Sequence, residues 1–104
     1  MSFKDTRTAE NLMKSFAGES QARMRYVYAA KTAKKEGYEQ IYNIFMETAE
    51  NEKEHAKVFF KHLLKNGLEG EAINIMATYP VGWSPENTLN NLNYAANGEH
   101  EEWT

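Results

Sequence analysis

Glu52 and His55 stand three residues apart as Glu-x-x-His. On a helix that spacing puts both side chains on one face, about 4.5 Å apart along the axis. A carboxylate and an imidazole so placed can bind the same transition-metal ion, and a donor set richer in carboxylate than in nitrogen suits iron or manganese. Glu19 and Glu99 fall among apolar residues at helical spacing in the same way, with Glu102 one turn beyond Glu99. An ionised carboxylate in a core costs several kcal/mol unless a charge or a metal answers it. Several inward carboxylates therefore call for a shared cation. Other residues take plainer readings. Glu50 and Glu54 read as solvated charges, His62 as a boundary residue and His100 as outward-facing. Arg23 reads as an ion-pair partner, and Tyr26, Tyr28, Met13, Met24 and Met46 as core packing.

Three helices must position these groups. The first spans about 8–36, with Leu12, Phe16, Glu19, Arg23, Tyr26, Ala30 and Ala33 advancing in helical steps toward a stop at Gly37. The second spans 39–65, with Ile41, Phe45, Thr48, Glu52, His55, Phe59 and Leu63 on one stripe before Gly67. The third is predicted over 85–104, with Ser84 as N-cap, Pro85 at its first position, and Leu89, Leu92, Ala96, Glu99 and Trp103 on its stripe. The joint at Gly37 makes the first two helices antiparallel. The crossover at 66–84, about 18 residues that reach ~60 Å when extended, returns the chain so that helices two and three run parallel. The fold class expected is an all-α, ferritin-like four-helix bundle of which this chain supplies three helices.

Composition narrows the function classes. The 104 residues are 41% hydrophobic, with 26% charged, a formal net charge of −3 and no cysteine. That excludes a disulfide scaffold, a Cys-ligated metal and a thiol nucleophile. Twelve Lys and Arg against 15 Asp and Glu argue against nucleic-acid binding. No apolar run reaches a membrane span and no leader is evident, so a cytoplasmic protein is expected. An internal echo adds to the picture: Asn11-Leu12 and Gly18-Glu19 recur as Asn91-Leu92 and Gly98-Glu99, offset by 80. If helix three repeats helix one, the counterpart of Glu-x-x-His falls beyond Thr104.

The segments Thr8–Leu12, Phe16–Arg23, Ala49–Lys57 and Gly98–Trp103 resemble the rubrerythrins, and the similarity runs in order through the Tyr79-Pro80 crossover. The resemblance implies a ferritin-like di-iron peroxidase that reduces hydrogen peroxide to water in oxidative-stress defence. It implies two iron ions, oxo- or carboxylate-bridged and replaceable by manganese or zinc, with Glu19, Glu52, His55, Glu99 and Glu102 as ligands. By the same resemblance Glu52 bridges, Glu102 exchanges with a histidine as redox state changes, and Tyr26 lies close behind the ligands; Glu102 and Tyr26 are the candidate catalytic residues. The family's fourth helix and its Cys-x-x-Cys rubredoxin domain have no counterpart in these residues. Activity is thus expected only when a second copy or a separate chain supplies that helix, in a homo-oligomer, with a rubredoxin-type electron donor. The open groove awaiting it is expected to be lined by Phe45, Phe59, Leu92 and the ligands. Two alternatives share the pattern: a ferroxidase or iron-binding protein, and a structural helical module whose buried charges merely pair.

Overall fold

Thr6 opens the first helix by accepting a hydrogen bond on Oγ1 from the Ala9 amide at 3.2 Å, an ordinary N-cap. The computed structural model describes residues 5–97 with their side chains and carries the last helix as backbone to Trp103. Three helices form it, α1 (Arg7–Lys35), α2 (Glu39–Lys65) and α3 (Thr88–Trp103), with no strand among the described residues.

Both long helices stop by the same device. Gly37 takes φ 88°, its amide donates to Lys34 O at 3.1 Å, and the Tyr38 amide donates to Ala33 O at 2.8 Å. Gly67 takes φ 77°, with its amide on Leu64 O and the Leu68 amide on Leu63 O. These are paired 5→2 and 6→1 closures around a left-handed residue that only glycine adopts without strain. Lys34 and Lys35 add charge of the right sign to the last turn of α1.

α1 and α2 lie antiparallel and hold the core. Ala22, Ala29, Ala30 and Ala49 are buried there with Tyr26 and Phe45, whose rings stack at 6.0 Å between centroids. The alanines let the two backbones approach, and the aromatic pair fills the space that remains.

The crossover runs the length of α1. Tyr79 Oη donates to Lys14 O at 3.2 Å, Trp83 Nε1 donates to Thr32 Oγ1 at 3.2 Å, and the Trp83 ring lies 5.2 Å from that of Tyr28. The chain is thereby returned to the C-terminal end of α1, where α3 begins. α3 then runs antiparallel to α1 and parallel to α2, as the length of the connection requires.

Three expectations change here. α3 begins at Thr88, not at residue 85: the Asn87 side chain accepts from the Asn90 amide at 3.0 Å and caps the helix. Ser84 instead exchanges two hydrogen bonds with the Asn91 side chain, 2.7 and 2.8 Å long. The buried row of α3 is Thr88, Asn91 and half-buried Ala95, whereas Leu89 is 67% exposed and Leu92 38%. The reason is that α3 packs on α1 alone among the described residues, held by polar anchors that turn its leucines outward. Tyr28 and Met24, read as core, are also exposed: Tyr28 lies against the crossover at Trp83, and Met24 borders an open groove shared by α1 and α2.

Candidate metal centre

The antiparallel register that stacks Tyr26 on Phe45 carries Glu19, two turns earlier on α1, to the level of Glu52, two turns later on α2. His55 follows Glu52 by three residues and reaches the same point. One ligand atom from each of Glu19, Glu52 and His55 lies within 4.8 Å of the others. His55 Nδ1 stands 3.7 Å from Glu19 Oε2, beyond the range of a good hydrogen bond.

The environment of the three is uneven. The Glu19 side chain is 19% exposed and that of His55 60%. Glu52 is half-buried, and its Oε2 is sealed from solvent with no hydrogen-bond partner among the described residues. A polar atom left so costs about 1–3 kcal/mol, more when charged. Nearby, Arg23 is half-buried, its Nε sealed from solvent without a hydrogen-bond partner among the described residues, while its Nη2 lies 3.8 Å from Glu50 Oε1 and its Nη1 3.5 Å from Met24 Sδ.

The three side chains fit a cation. Two donors each ~2.0–2.2 Å from a first-row metal ion stand up to about 4.4 Å apart, so the observed spread closes with a small rotamer movement. Two carboxylates and an imidazole match the preference of iron, manganese or zinc rather than a thiolate-seeking metal. A metal would also satisfy the sealed Glu52 oxygen.

Of the residues the sequence singles out, the structure thus brings Glu19, Glu52 and His55 together. Glu99 and Glu102 lie outside the residues whose side chains are described, as do His100 and Trp103. Tyr26 is buried in the core, two turns or about 10 Å along α1 from Glu19, so it stands behind the donor group and not in it. Glu50, Glu54 and His62 are exposed. The placement of His55 on a buried face is corrected: its side chain is 60% exposed although its Nδ1 lies 3.7 Å from Glu19 of α1, because no contact with α3 among the described residues covers that flank of α2. The expected groove changes too. Phe45 is 3% exposed and sits within the α1–α2 core, leaving half-buried Phe59 and exposed Leu92 of the apolar set. A separate apolar groove of about 640 Å³ lies on the far flank of α1 and α2, where Phe16 and Phe60 meet at 4.5 Å. What the sequence reading missed is a set of buried polar groups at the other end of the molecule, Thr32, Thr88 and Asn91. Only their polar type at helical spacing, Thr88, Asn91 and then Ala95, could have signalled them.

Long helices with a lengthwise crossover and inward carboxylates around a Glu-x-x-His pair define the ferritin-like carboxylate bundles. The family profile for rubrerythrin matches residues 10–104, and the chain belongs to the rubrerythrin family. It is 66% identical over 97% of its length to a rubrerythrin of Clostridium perfringens, covering 51% of that protein. It is 54% identical to a rubrerythrin of Porphyromonas gingivalis, covering 99% of this chain and 48% of the relative. To a rubrerythrin of Nitratidesulfovibrio vulgaris it is 48% identical, over 99% of this chain and 51% of the relative. The chain therefore spans about half the length of the curated relatives it matches. No helix among the described residues is long and apolar enough to cross a membrane.

Proposed function

We propose that these residues form the ligand-bearing part of a non-haem di-iron peroxidase that reduces hydrogen peroxide to water. The observation that carries this reading is the sealed, unpartnered Glu52 oxygen beside Glu19 and His55. A structural module gains nothing from such a carboxylate, whereas a metal protein needs it.

In this reading Glu19, Glu52 and His55 hold iron, with Glu99 and Glu102 adding carboxylates from α3. Bound there, the iron pair supplies the two electrons that convert one peroxide and two protons to two waters. The chain's own side chains do the rest. Glu19 and Glu52 would hold the metal and offset its charge, Glu52 through the oxygen that is sealed from solvent, and the family resemblance makes Glu52 the carboxylate that the two ions would share. His55 presents its imidazole from the open flank, where peroxide has access. Tyr26 and Phe45 close the core behind the carboxylates and keep water out. Glu102 would be a further carboxylate for the metal, the one to which the family resemblance gives a role that depends on redox state. The remaining ligands come from polypeptide outside these residues, either a longer form of this chain or a second copy. A rubredoxin-type centre restores the electrons.

The test uses the whole protein loaded with ferrous iron and mixed with peroxide or with dioxygen. Two irons oxidised per peroxide, faster than by dioxygen, is the expected result. Faster oxidation by dioxygen, with iron accumulating beyond two per site, would establish the ferroxidase alternative instead.

A further inference from the structure

Glu36 is a misplaced charge if α1 is considered alone. It is the C-cap residue of that helix, where the macrodipole disfavours an anion. Its carboxylate serves another helix. Glu36 Oε1 accepts from the Thr88 amide at 2.7 Å and from Thr88 Oγ1 at 2.6 Å. Thr88 is the first residue of α3, whose N-terminal amides have no partner within the helix and whose dipole favours an anion. Asn87 caps the Asn90 amide, and Glu36 takes the amide that Asn87 leaves. A carboxylate one turn too far for its own helix is thus the cap of the next but one.

Apolar packing does not fix this end of α3. Its leucines are exposed, and the buried residues in its first turn are Thr88 and Asn91. Asn91 is tied to Ser84, and Thr32 Oγ1 lies within 3.3–3.4 Å of Ser84 O and Pro85 O. These bonds hold α3 to the crossover and the crossover to Thr32 of α1, so they act on the helix only through its loop. Those of Glu36 join α3 to α1 directly. Hydrogen bonds with a charged partner are short and directional, so Glu36 can set both the rotation and the height of α3 against the helix that bears Glu19.

We propose that Glu36 is a positioning residue of the metal centre: by capping α3 from α1 it sets the register in which α3 brings Glu99 and Glu102 to the site of Glu19, Glu52 and His55. This rests on the reading that α3 contributes ligands. The relation is one of sequence spacing, since Glu99 and Glu102 follow Thr88 by 11 and 14 residues on the same helix.

A double-mutant cycle on the whole protein tests it, with cobalt(II) as the probe and its visible absorption as the readout of occupancy. Glu36→Ala is made in the wild-type background and in a background already carrying Glu99→Gln and Glu102→Gln. The expected loss of cobalt affinity is about tenfold in the first background and less than twofold in the second, because a register effect needs the α3 carboxylates to act through. Loss of under twofold in the wild-type background, or equal loss in both, overturns the proposal; equal loss is what general destabilisation gives. Should Glu36→Ala not fold, Thr88→Val removes one of the two bonds, with about threefold expected in the first background and none in the second. A wild-type protein that binds no cobalt would overturn the site reading itself, which separates that failure from a failure of the Glu36 assignment.

Discussion

At the residue scale, the group of Glu19, Glu52 and His55 is costly when no cation answers it. Glu52 places a carboxylate oxygen in a dry interior with no donor to meet it, close to a second carboxylate on Glu19. Glu54, two residues on, is exposed and carries no such cost. Replacing Glu52 by Gln keeps its shape and removes the charge, so the metal-free variant gains stability, by ~1 kcal/mol on the scale of an unmet polar group. The same variant loses metal affinity by at least about a hundredfold, the loss of a charged ligand being worth several kcal/mol. Glu54→Gln leaves both within error. Urea unfolding of the metal-free proteins and equilibrium dialysis against ferrous iron measure the two quantities. A Glu52→Gln protein less stable than wild type without metal would mean that the carboxylate is satisfied internally.

At the element scale, glycines of the same chemistry have opposite value. Gly18 lies inside α1, where a Cβ would meet Tyr79 Cε1 at 3.7 Å, an ordinary contact. Gly18→Ala therefore stabilises by about 0.5–1 kcal/mol. Gly37 holds φ 88° with nothing within 4 Å of a Cβ. Space is free there and conformation is not, so Gly37→Ala costs about 1 kcal/mol or more. Denaturant midpoints of the two variants should move in opposite directions. The long helices were legible because such stops and a regular apolar stripe are local: Gly37 and Gly67 bracket α2, and Phe45, Ala49, Ala56 and Leu63 bury along it. The crossover topology was legible from length alone. The face of α3 was not, because Thr88 and Asn91 are buried by partners 7 to 52 residues away, namely Ser84 and Glu36. An apolar-periodicity argument chooses Leu89 and Leu92 instead. The start of α3 was misread for a related reason: Ser84-Pro85 has the composition of a helix entry, yet Ser84 is engaged by Asn91 and Asn87 performs the capping. Within the site, the spacing of Glu52 and His55 revealed the donor pair, while the exposure of His55 depended on which flank of α2 stays uncovered, and no residue of α2 records that.

At the scale of the whole molecule, two helices in firm contact and a third held at one end form an elongated body of 53 × 21 × 20 Å. Seven of the ten buried hydrophobic residues among those described are alanines, so apolar burial is modest for the length of chain. A ligand that binds only the folded arrangement, drawing α1 and α2 together through Glu19, Glu52 and His55, then raises stability by mass action, ~2.7 kcal/mol at a free concentration a hundred times Kd. The most direct test is thermal unfolding of the whole protein before and after iron is removed by a chelator under anaerobic conditions, with metal counted in both samples. The account predicts iron bound in the first sample, none in the second, and a fall in Tm of several degrees that re-addition of ferrous iron reverses. No iron in the first sample, with a Tm indifferent to added ferrous ion, would contradict it.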